Sequence, residues 1–178
     1  MVISMDYNIM LIGFMGTGKT TISRELSKKL KIKEIDMDEY IVKKEGRSIN
    51  DIFESDGEEY FRSIETECIK EIQKKKGRIV SCGGGAVLKD ENVECMKDGG
   101  VIVLLTATPT TVYNRVRYGK DRPILNGHMN VEYISSLMEK RKQRYLDVAD
   151  IKIATDGKTP VAICREIVEL LDKIVKNS

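Results

Sequence analysis

Residues 13–20 read Gly-Phe-Met-Gly-Thr-Gly-Lys-Thr and satisfy the pattern G-x-x-x-x-G-K-[ST]. The apolar run Asn8–Ile12 directly precedes this stretch and predicts a short strand. Residues 20–30 follow it with apolar side chains at helical spacing, which predicts a helix. A glycine-rich turn between a strand and a helix is the context that this pattern requires. The stretch therefore predicts a phosphate-binding loop.

The residue types of this loop suit a nucleoside triphosphate. Glycines let the backbone curl so that successive N–H groups point at phosphate oxygens, and the helix that follows adds its positive N-terminal end. Lys19 is placed to reach the β- and γ-phosphates, and the Thr20 hydroxyl to ligate Mg²⁺. The residues predicted to hold ATP in this loop are Gly13, Gly16, Thr17, Gly18, Lys19, Thr20 and Thr21.

Strand and helix patterns alternate along the rest of the chain. Strands are predicted at residues 8–12, 33–36, 78–82, 101–105 and 151–154, and helices at 20–30, 38–44, 110–117, 131–147 and 161–175. Ser48 and Asp51 resemble a capping box that opens a short helix, and a longer helix follows Gly57. This alternation predicts an α/β fold with three layers, α/β/α, and a five-stranded parallel sheet. We expect one domain over residues 1–178.

Composition and charge exclude several classes of protein. With 178 residues, 41% of them hydrophobic and 33% charged, the chain is typical of a single globular domain. A net charge of +2 gives no electrostatic basis for binding nucleic acid. The sequence shows neither an apolar stretch of roughly 20 residues nor a basic leader. The four cysteines lack C-x-x-C spacing. We expect a cytoplasmic monomer with reduced thiols that needs neither nucleic acid nor membrane.

Two acidic residues and two arginines are candidates for the acceptor side. Asp36 and Asp38 lie at the end of the second predicted strand, where ligands of α/β proteins bind; helix capping by Asp38 is the alternative. Arg141 lies within an apolar helical stripe and therefore faces inward, and Arg62 lies early in the long helix. Structural ion pairs or a substrate carboxylate would satisfy these arginines equally well.

Three consecutive glycines, Gly83, Gly84 and Gly85, follow the third predicted strand. They are typical of a turn that needs positive φ, and equally of a backbone surface that a compact substrate approaches closely. The sequence leaves both interpretations open.

Taken together, these segments resemble the shikimate kinase family of P-loop kinases over nearly the whole chain. Several of the matching pieces are common alone, but their order and spacing are specific. They are the phosphate loop, Ile-Asp-Met-Asp at 35–38, Ser-Ile-Asn-Asp-Ile-Phe at 48–53, Glu-Tyr-Phe-Arg at 59–62, Gly-Gly-Gly-Ala-Val at 83–87, Arg-Pro-Ile-Leu at 122–125, and Arg141 followed by Tyr145 and Ala149-Asp150.

The resemblance implies transfer of the ATP γ-phosphoryl group to the 3-hydroxyl of shikimate. It implies that Arg62 and Arg141 hold the shikimate carboxylate and that Asp38 faces the reacting hydroxyl. Gly83, Gly84, Gly85, Phe53 and Phe61 would complete the acceptor pocket, within an acceptor-binding helical region at about 38–62. It further implies that Thr20, Asp36 and Ser81 bind Mg²⁺ directly or through its waters. The catalytic residues would be Lys19, Asp38 and Arg122.

A mobile lid at about 118–130 is also implied, with Arg122 reaching the phosphates when it closes. Arg115 would flank the adenine. Lys158 stands where the family often has an arginine, and it lacks the planar guanidinium that stacks on a base. We expect His128, the sole histidine of the sequence, to be an exposed lid residue without a catalytic role.

Two other functions fit the phosphate loop. One is a kinase for gluconate or a nucleoside monophosphate, although two arginines match a single carboxylate better than a nucleotide. The other is a nucleotide-dependent regulator without activity. The intact residues Lys19, Thr20, Asp38 and Arg122 argue against it, because a binding module has no need of a complete lid.

Overall fold

The computed structural model describes residues 5–118 and 130–177. Nearly all of the predicted lid lies outside these residues, and so do Arg122 and His128. The strands are β1 (Asn8–Ile12), β2 (Lys33–Asp36), β3 (Arg78–Ser81), β4 (Gly100–Thr106) and β5 (Ile151–Ala154). The helices are α1 (Lys19–Leu30), α2 (Met37–Glu45), α3 (Ile49–Gln73), α4 (Asp90–Gly99), α5 (Pro109–Val116), α6 (Val131–Val148) and α7 (Pro160–Asn177).

The five strands form one parallel sheet in the order β2-β3-β1-β4-β5. β1 is central, with Ile9 opposite Ile79 of β3 and Val101 of β4. All five of its residues are buried, as expected for a parallel strand covered on both faces. The sequence prediction of a five-stranded parallel sheet is confirmed.

Helices cover both faces of the sheet. Met10 and Ile12 point into a core shared with α2 through α6, whereas Ile9 and Leu11 point into a second core shared with α1 and α7. This division follows from the alternation of side chains along a strand. The three-layer α/β/α architecture is therefore confirmed, and the carboxyl ends of β1, β2 and β3 share one edge.

The long helix α3 is bent at Gly57, where φ is 81° and ψ is 177°. Its first part opens with the predicted capping box, in which the Ser48 hydroxyl accepts from the Asp51 N–H at 3.1 Å and the Asp51 carboxylate accepts from the Ser48 N–H at 3.2 Å. Its second part buries Phe61, Ile64, Cys68 and Ile72. The bend therefore divides α3 into two helical parts.

The helix α4 and the 3₁₀ turn Ala86–Leu88 before it were not predicted. α4 has only two buried apolar side chains, Val93 and Met96, and its N-terminus at Lys89 has no side-chain cap. A short helix with so little apolar periodicity and no capping signal leaves no clear pattern in the sequence.

Three of the four cysteines, Cys68, Cys82 and Cys164, are buried core residues, and Cys95 is half-buried. Burial raises the pKa of the Cys82 thiol to about 12 and that of Cys68 to about 11. These thiols therefore remain protonated at neutral pH and act as small apolar side chains.

Candidate active site

The phosphate loop joins β1 to α1 at the carboxyl edge of the sheet. Gly13, Gly16 and Gly18 have φ angles of 146°, 75° and 100°, which residues with a Cβ seldom adopt. A Cβ on Gly13 would also collide with the carbonyl oxygen of Leu105 in β4. Both the curl of the loop and its contact with the sheet therefore require glycine.

Lys19, the first residue of α1, folds back over this loop and is only 9% exposed. Its ammonium group donates to the carbonyl oxygens of Gly13 at 2.8 Å and of Phe14 at 3.0 Å. The Thr17 hydroxyl also donates to the Phe14 carbonyl, at 2.8 Å. The cation is thus held at the centre of the loop, where a phosphate-binding lysine is needed.

Three side-chain oxygens from different elements meet beside the loop. The Thr20 hydroxyl of α1 donates to the Asp36 carboxylate at 2.7 Å and lies 3.4 Å from the Ser81 hydroxyl. Asp36 ends β2, Ser81 ends β3, and the two are paired in the register of the sheet. Hydroxyl and carboxylate oxygens at this spacing suit Mg²⁺, which prefers oxygen ligands and keeps several of its waters.

Asp36 also caps the helix that follows. Its second carboxylate oxygen accepts from the backbone N–H groups of Asp38 at 3.0 Å and Glu39 at 3.3 Å. The interpretation of Asp38 as the helix cap is wrong, because β2 ends at Asp36 and Asp38 lies in the first turn of α2. Asp38 is exposed and lines the cleft.

A cleft of about 520 Å³ opens above the loop. It brings together most of the predicted donor residues and part of the acceptor set. Its lining includes Gly16, Thr17, Gly18, Lys19, Thr20, Thr21, Asp36, Asp38, Ser81, Gly83, Gly84, Arg115 and Lys158. The predicted residues Gly13, Phe53, Phe61, Arg62, Gly85 and Arg141 lie outside this lining.

Arg115 and Lys158 stand at the far end of the cleft. The Arg115 guanidinium donates to the Gly16 carbonyl at 3.0 Å and to the Thr155 hydroxyl at 3.2 Å, so it is fixed to the phosphate loop. Lys158 forms an ion pair with Glu166 of α7 at 2.6 Å. That pairing draws the lysine toward α7 and leaves Arg115 as the better candidate to flank a base.

The predicted aromatic wall forms across the bend in α3. The rings of Phe53 and Phe61 lie 4.8 Å apart at an interplanar angle of 36°. The Arg62 guanidinium carbon is 5.2 Å from the centre of the Phe61 ring. The bend at Gly57 therefore brings residues from both parts of the helix into one patch.

Arg62 is engaged by two carboxylates of its own helix. It pairs with Glu65 at 3.0 Å and with Glu58 at 3.2 Å. Although burial disfavours its charged form, these partners hold the pKa of Arg62 above its ordinary value. The structural ion-pair interpretation is confirmed for this arginine.

Glu65 was missed by the sequence analysis, since it looks like any other acidic residue of a helix. Its side chain is 1% exposed, and burial raises its pKa even though the Arg62 guanidinium opposes that rise. Within the described residues, its Oε1 atom has no hydrogen-bond partner. A buried carboxyl with one oxygen unsatisfied is costly and marks a functional region.

Arg141 differs from Arg62. Its guanidinium carbon lies 5.9 Å from the centre of the Phe14 ring. Burial raises the pKa of the nearby Tyr145 hydroxyl, and the charge of Arg141 opposes that rise. Across residues 5–118 and 130–177, no carboxylate forms an ion pair with it. The inward face predicted for Arg141 is confirmed by its half-buried position.

None of the glycines at 83–85 has a positive φ, and Gly83 and Gly85 are required by space instead. A Cβ on Gly83 would come within 2.6 Å of the Glu65 Oε1 atom, and one on Gly85 would collide with the Arg62 guanidinium. The predicted turn is present, with the Ala86 N–H donating to the Gly83 carbonyl at 3.1 Å, but the expectation that it needs positive φ is wrong. The glycines instead let the Arg62–Glu65 pair lie directly against the backbone.

Comparison with known proteins identifies this arrangement. The model of the shikimate kinase family matches residues 15–172. The chain belongs to the shikimate kinase family. A shikimate kinase from Thermodesulfovibrio yellowstonii is 41% identical over 167 residues, which cover 94% of this chain and 96% of the relative.

Solved shikimate kinases have the same fold. The enzyme from Acinetobacter baumannii, determined in complex with shikimate, superposes with a TM-score of 0.89 at 32% identity and covers 97% of this chain and 94% of its own. The enzyme from Aquifex aeolicus gives a TM-score of 0.82 at 36% identity over 94% and 98% of the two chains.

Proposed function

We propose that this member of the shikimate kinase family transfers the γ-phosphoryl group of ATP to the 3-hydroxyl of shikimate, giving shikimate 3-phosphate and ADP. One observation carries the proposal. A complete phosphate loop lies close to a half-buried guanidinium, that of Arg141, for which the described residues supply no carboxylate. A nucleotide donor and a carboxylate-bearing acceptor satisfy these two features together.

On the donor side, the loop amides and Lys19 would bind the phosphates. The ammonium group of Lys19 already lies over the loop, where it can exchange the Gly13 and Phe14 carbonyls for phosphate oxygens. Thr20, Asp36 and Ser81 would hold Mg²⁺ directly or through its waters. When bound, Mg²⁺ neutralises charge that develops on the phosphate oxygens.

On the acceptor side, Arg141 would bind the shikimate carboxylate as a planar fork, with Arg62 beside it. Phe53 and Phe61 would form the apolar wall, and the backbone at Gly83–Gly85 would lie close to the ring. Asp38, which lines the cleft between the loop and Gly83, would accept a hydrogen bond from the attacking hydroxyl. Phosphoryl transfer depends mostly on positioning and charge stabilisation, so orientation is the main task of these groups.

Arg115 would flank the adenine from its fixed position on the Gly16 carbonyl. The roles of Lys158 near the base and of Arg122 at the phosphates, together with a closing lid, are part of the same proposal. Closure would exclude water, which otherwise competes as a phosphoryl acceptor.

We also propose a monomer in the cytoplasm that acts on its small substrates without nucleic acid or membrane. Sedimentation of the purified chain tests the first part, with a single species near 20.2 kDa expected. In the part of the chain that the structure describes, no helix is both long and apolar enough to cross a membrane.

The reaction is tested by a coupled ADP-release assay with shikimate, gluconate and AMP side by side, with and without Mg²⁺. We expect Mg²⁺-dependent release that only shikimate stimulates, and phosphorus NMR should show the product to be a phosphate monoester at the 3-position. Stimulation by gluconate or AMP instead would identify a different kinase. Slow hydrolysis that no acceptor stimulates would indicate a nucleotide-binding regulator.

A further inference from the structure

The bend in α3 is braced from outside the helix by Arg47, which lies in the short connection between α2 and α3. Its guanidinium forms an ion pair with Asp56, the residue just before Gly57, and donates to the Ser55 hydroxyl at 2.7 Å. Its guanidinium carbon also lies 5.6 Å from the centre of the Tyr60 ring, three residues after Gly57. One cation therefore contacts both parts of the bent helix.

The same cation is tied to the end of α2. The Arg47 guanidinium pairs with Glu45, the last residue of that helix, at 3.3 Å. The Tyr60 hydroxyl donates to the same Glu45 carboxylate at 3.1 Å. The side chains of Arg47 and Glu45 are 32% and 13% exposed, so these charges are partly shielded from water. Several shielded charges in one network hold their geometry better than a single exposed ion pair does.

The bend places the aromatic wall of the proposed acceptor pocket. Phe53 precedes Gly57 and Phe61 follows it, yet their rings lie 4.8 Å apart. In a straight helix, residues eight positions apart are separated by about 12 Å along the axis. Arg62 comes directly after Phe61, so the direction of the second part of α3 also sets the position of its guanidinium. The angle of the bend therefore determines both the wall and the arginine beside it.

The chain around Gly57 does little to fix that angle by itself. Glycine adopts a wide range of φ and ψ at low cost. The residues on either side, 54–56 and 58–60, are exposed, so packing in the core does not hold them. Contacts that fix the bend must therefore come from surface side chains, and the network around Arg47 supplies them on both sides of the glycine.

We propose that Arg47 is a positioning residue for the acceptor: it fixes the angle of α3 at Gly57 and so holds the aromatic wall and Arg62 in place before the substrate binds. This inference rests on the proposed function. It assigns Arg47 to acceptor binding and not to the chemical step, because its contacts given by the structure all lie among residues 45–60. A pocket ordered in advance binds more tightly, since the ordering cost is not charged to the ligand.

The test is Arg47→Met, which keeps a long unbranched side chain and removes the guanidinium. The KM for shikimate should rise about three- to tenfold, because binding must then also fix the bend. We expect kcat and the KM for ATP to stay within about twofold, because a residue that acts on acceptor binding alone leaves the chemical step unchanged.

Lys44→Met is the matched control. Lys44 is 30% exposed, close to the value for Arg47, and it also ties α2 to α3 through two carboxylates. Its partners, Glu67 at 3.4 Å and Glu71 at 2.7 Å, both lie well after the bend. Loss of Lys44 therefore weakens the contact between the two helices without acting on the bend, and all three kinetic values should stay unchanged.

A double-mutant cycle with Asp56→Asn tests whether Arg47 acts through the bend. Asp56→Asn alone should raise the KM for shikimate by about two- to fourfold, and it keeps the test open if Arg47→Met does not fold. In the Arg47→Met background the same change should add less than about 1.5-fold, because the ion pair is already gone. Independent, multiplying effects would overturn the inference.

Urea unfolding of each variant separates positioning from a merely structural role. A lowered free energy of unfolding with an unchanged KM for shikimate would show that Arg47 only supports the fold, and this result overturns the inference alone. Wild-type protein that does not turn over shikimate overturns the proposed function and the inference together. The two failures are thereby distinguished.

Discussion

The donor and acceptor halves of the cleft are built in different ways. The donor half is a local turn whose shape is fixed by glycine backbone angles, and its lysine is held by carbonyls of the same loop. The acceptor half collects side chains from α2, α3 and α6, which are far apart in the sequence. The first half exists before any ligand binds, whereas the second depends on packing between helices.

Within the acceptor half, the two arginines repeat this contrast. Arg62 is neutralised by Glu58 and the buried Glu65, and thus contributes to the stability of α3. Arg141 lies over an aromatic ring, which carries no compensating charge. An anionic ligand would therefore compensate the charge of Arg141 more than that of Arg62. Removal of the Arg62 side chain would cost more folding stability, because two carboxylates pair with it.

The largest expected effect is on the donor half. Lys19→Ala removes the cation at the centre of the loop and should lower kcat by at least about a thousandfold, because charge on the transferring group is then uncompensated. Steady-state ADP release measures this. Lys29→Ala, in the exposed last turn of the same helix, is the matched control and should keep full activity. Near-normal turnover in the Lys19 variant would contradict the assignment of the phosphate loop.

The next effect separates the two arginines. Arg141→Ala should weaken shikimate binding by about 2–5 kcal/mol, as for loss of one partner of a charged hydrogen-bonded pair, with little change in the free energy of unfolding. Arg62→Ala should weaken binding and also destabilise the fold by about 3–5 kcal/mol, because it leaves the buried Glu65 without its partner.

Calorimetric titration with shikimate and urea unfolding of each variant measure the two quantities separately. Equal losses of stability in both arginine variants would remove the distinction between them. An unchanged KM and kcat in Arg141→Ala would refute its role in acceptor binding.

The smallest effect concerns the pH dependence of stability. The pKa of Glu65 is raised in the folded state, chiefly by burial. In the unfolded chain the pKa of this carboxyl is about 4.5. The contribution of Glu65 to the free energy of unfolding is therefore fully present below about pH 4.5 and is lost as the pH rises through the pKa of the folded state. Relative to the wild type, Glu65→Gln should therefore gain stability as the pH rises from about 4.5 through the folded-state pKa of Glu65. Thermal unfolding of both proteins across that range tests this, and parallel curves would show that Glu65 is not shifted.

The sequence predicted the donor half well because its determinants are local. The loop depends on glycines at fixed positions between a strand and a helix, and each of these signals is visible in twenty residues. The inward face of Arg141 was also predictable, since an apolar stripe around it reports which side of α6 is buried. The resemblance to shikimate kinases assigned roles to the remaining segments.

The rest depended on contacts between distant elements. Nothing near Glu65 in the sequence indicates that it meets a glycine after β3, and nothing near Tyr145 indicates a carbonyl of that same turn. Which aspartate caps α2 was decided by where the helix begins, at Met37 and one residue before the predicted start, a boundary that sequence patterns place only to within a few residues. α4 was missed for lack of periodicity and of a cap.

The two oxygens of the Asp36 carboxylate face different elements, one the hydroxyl of Thr20 and the other the first turn of α2. This has a consequence for protein engineering. A chimera could exchange the acceptor-binding segment between relatives. If the exchanged segment began at residue 38, α2 would be separated from its cap. If it ended at residue 62, Arg62 would be separated from Glu65. A transplanted segment must therefore run at least from residue 36 to residue 65 to keep these two supports.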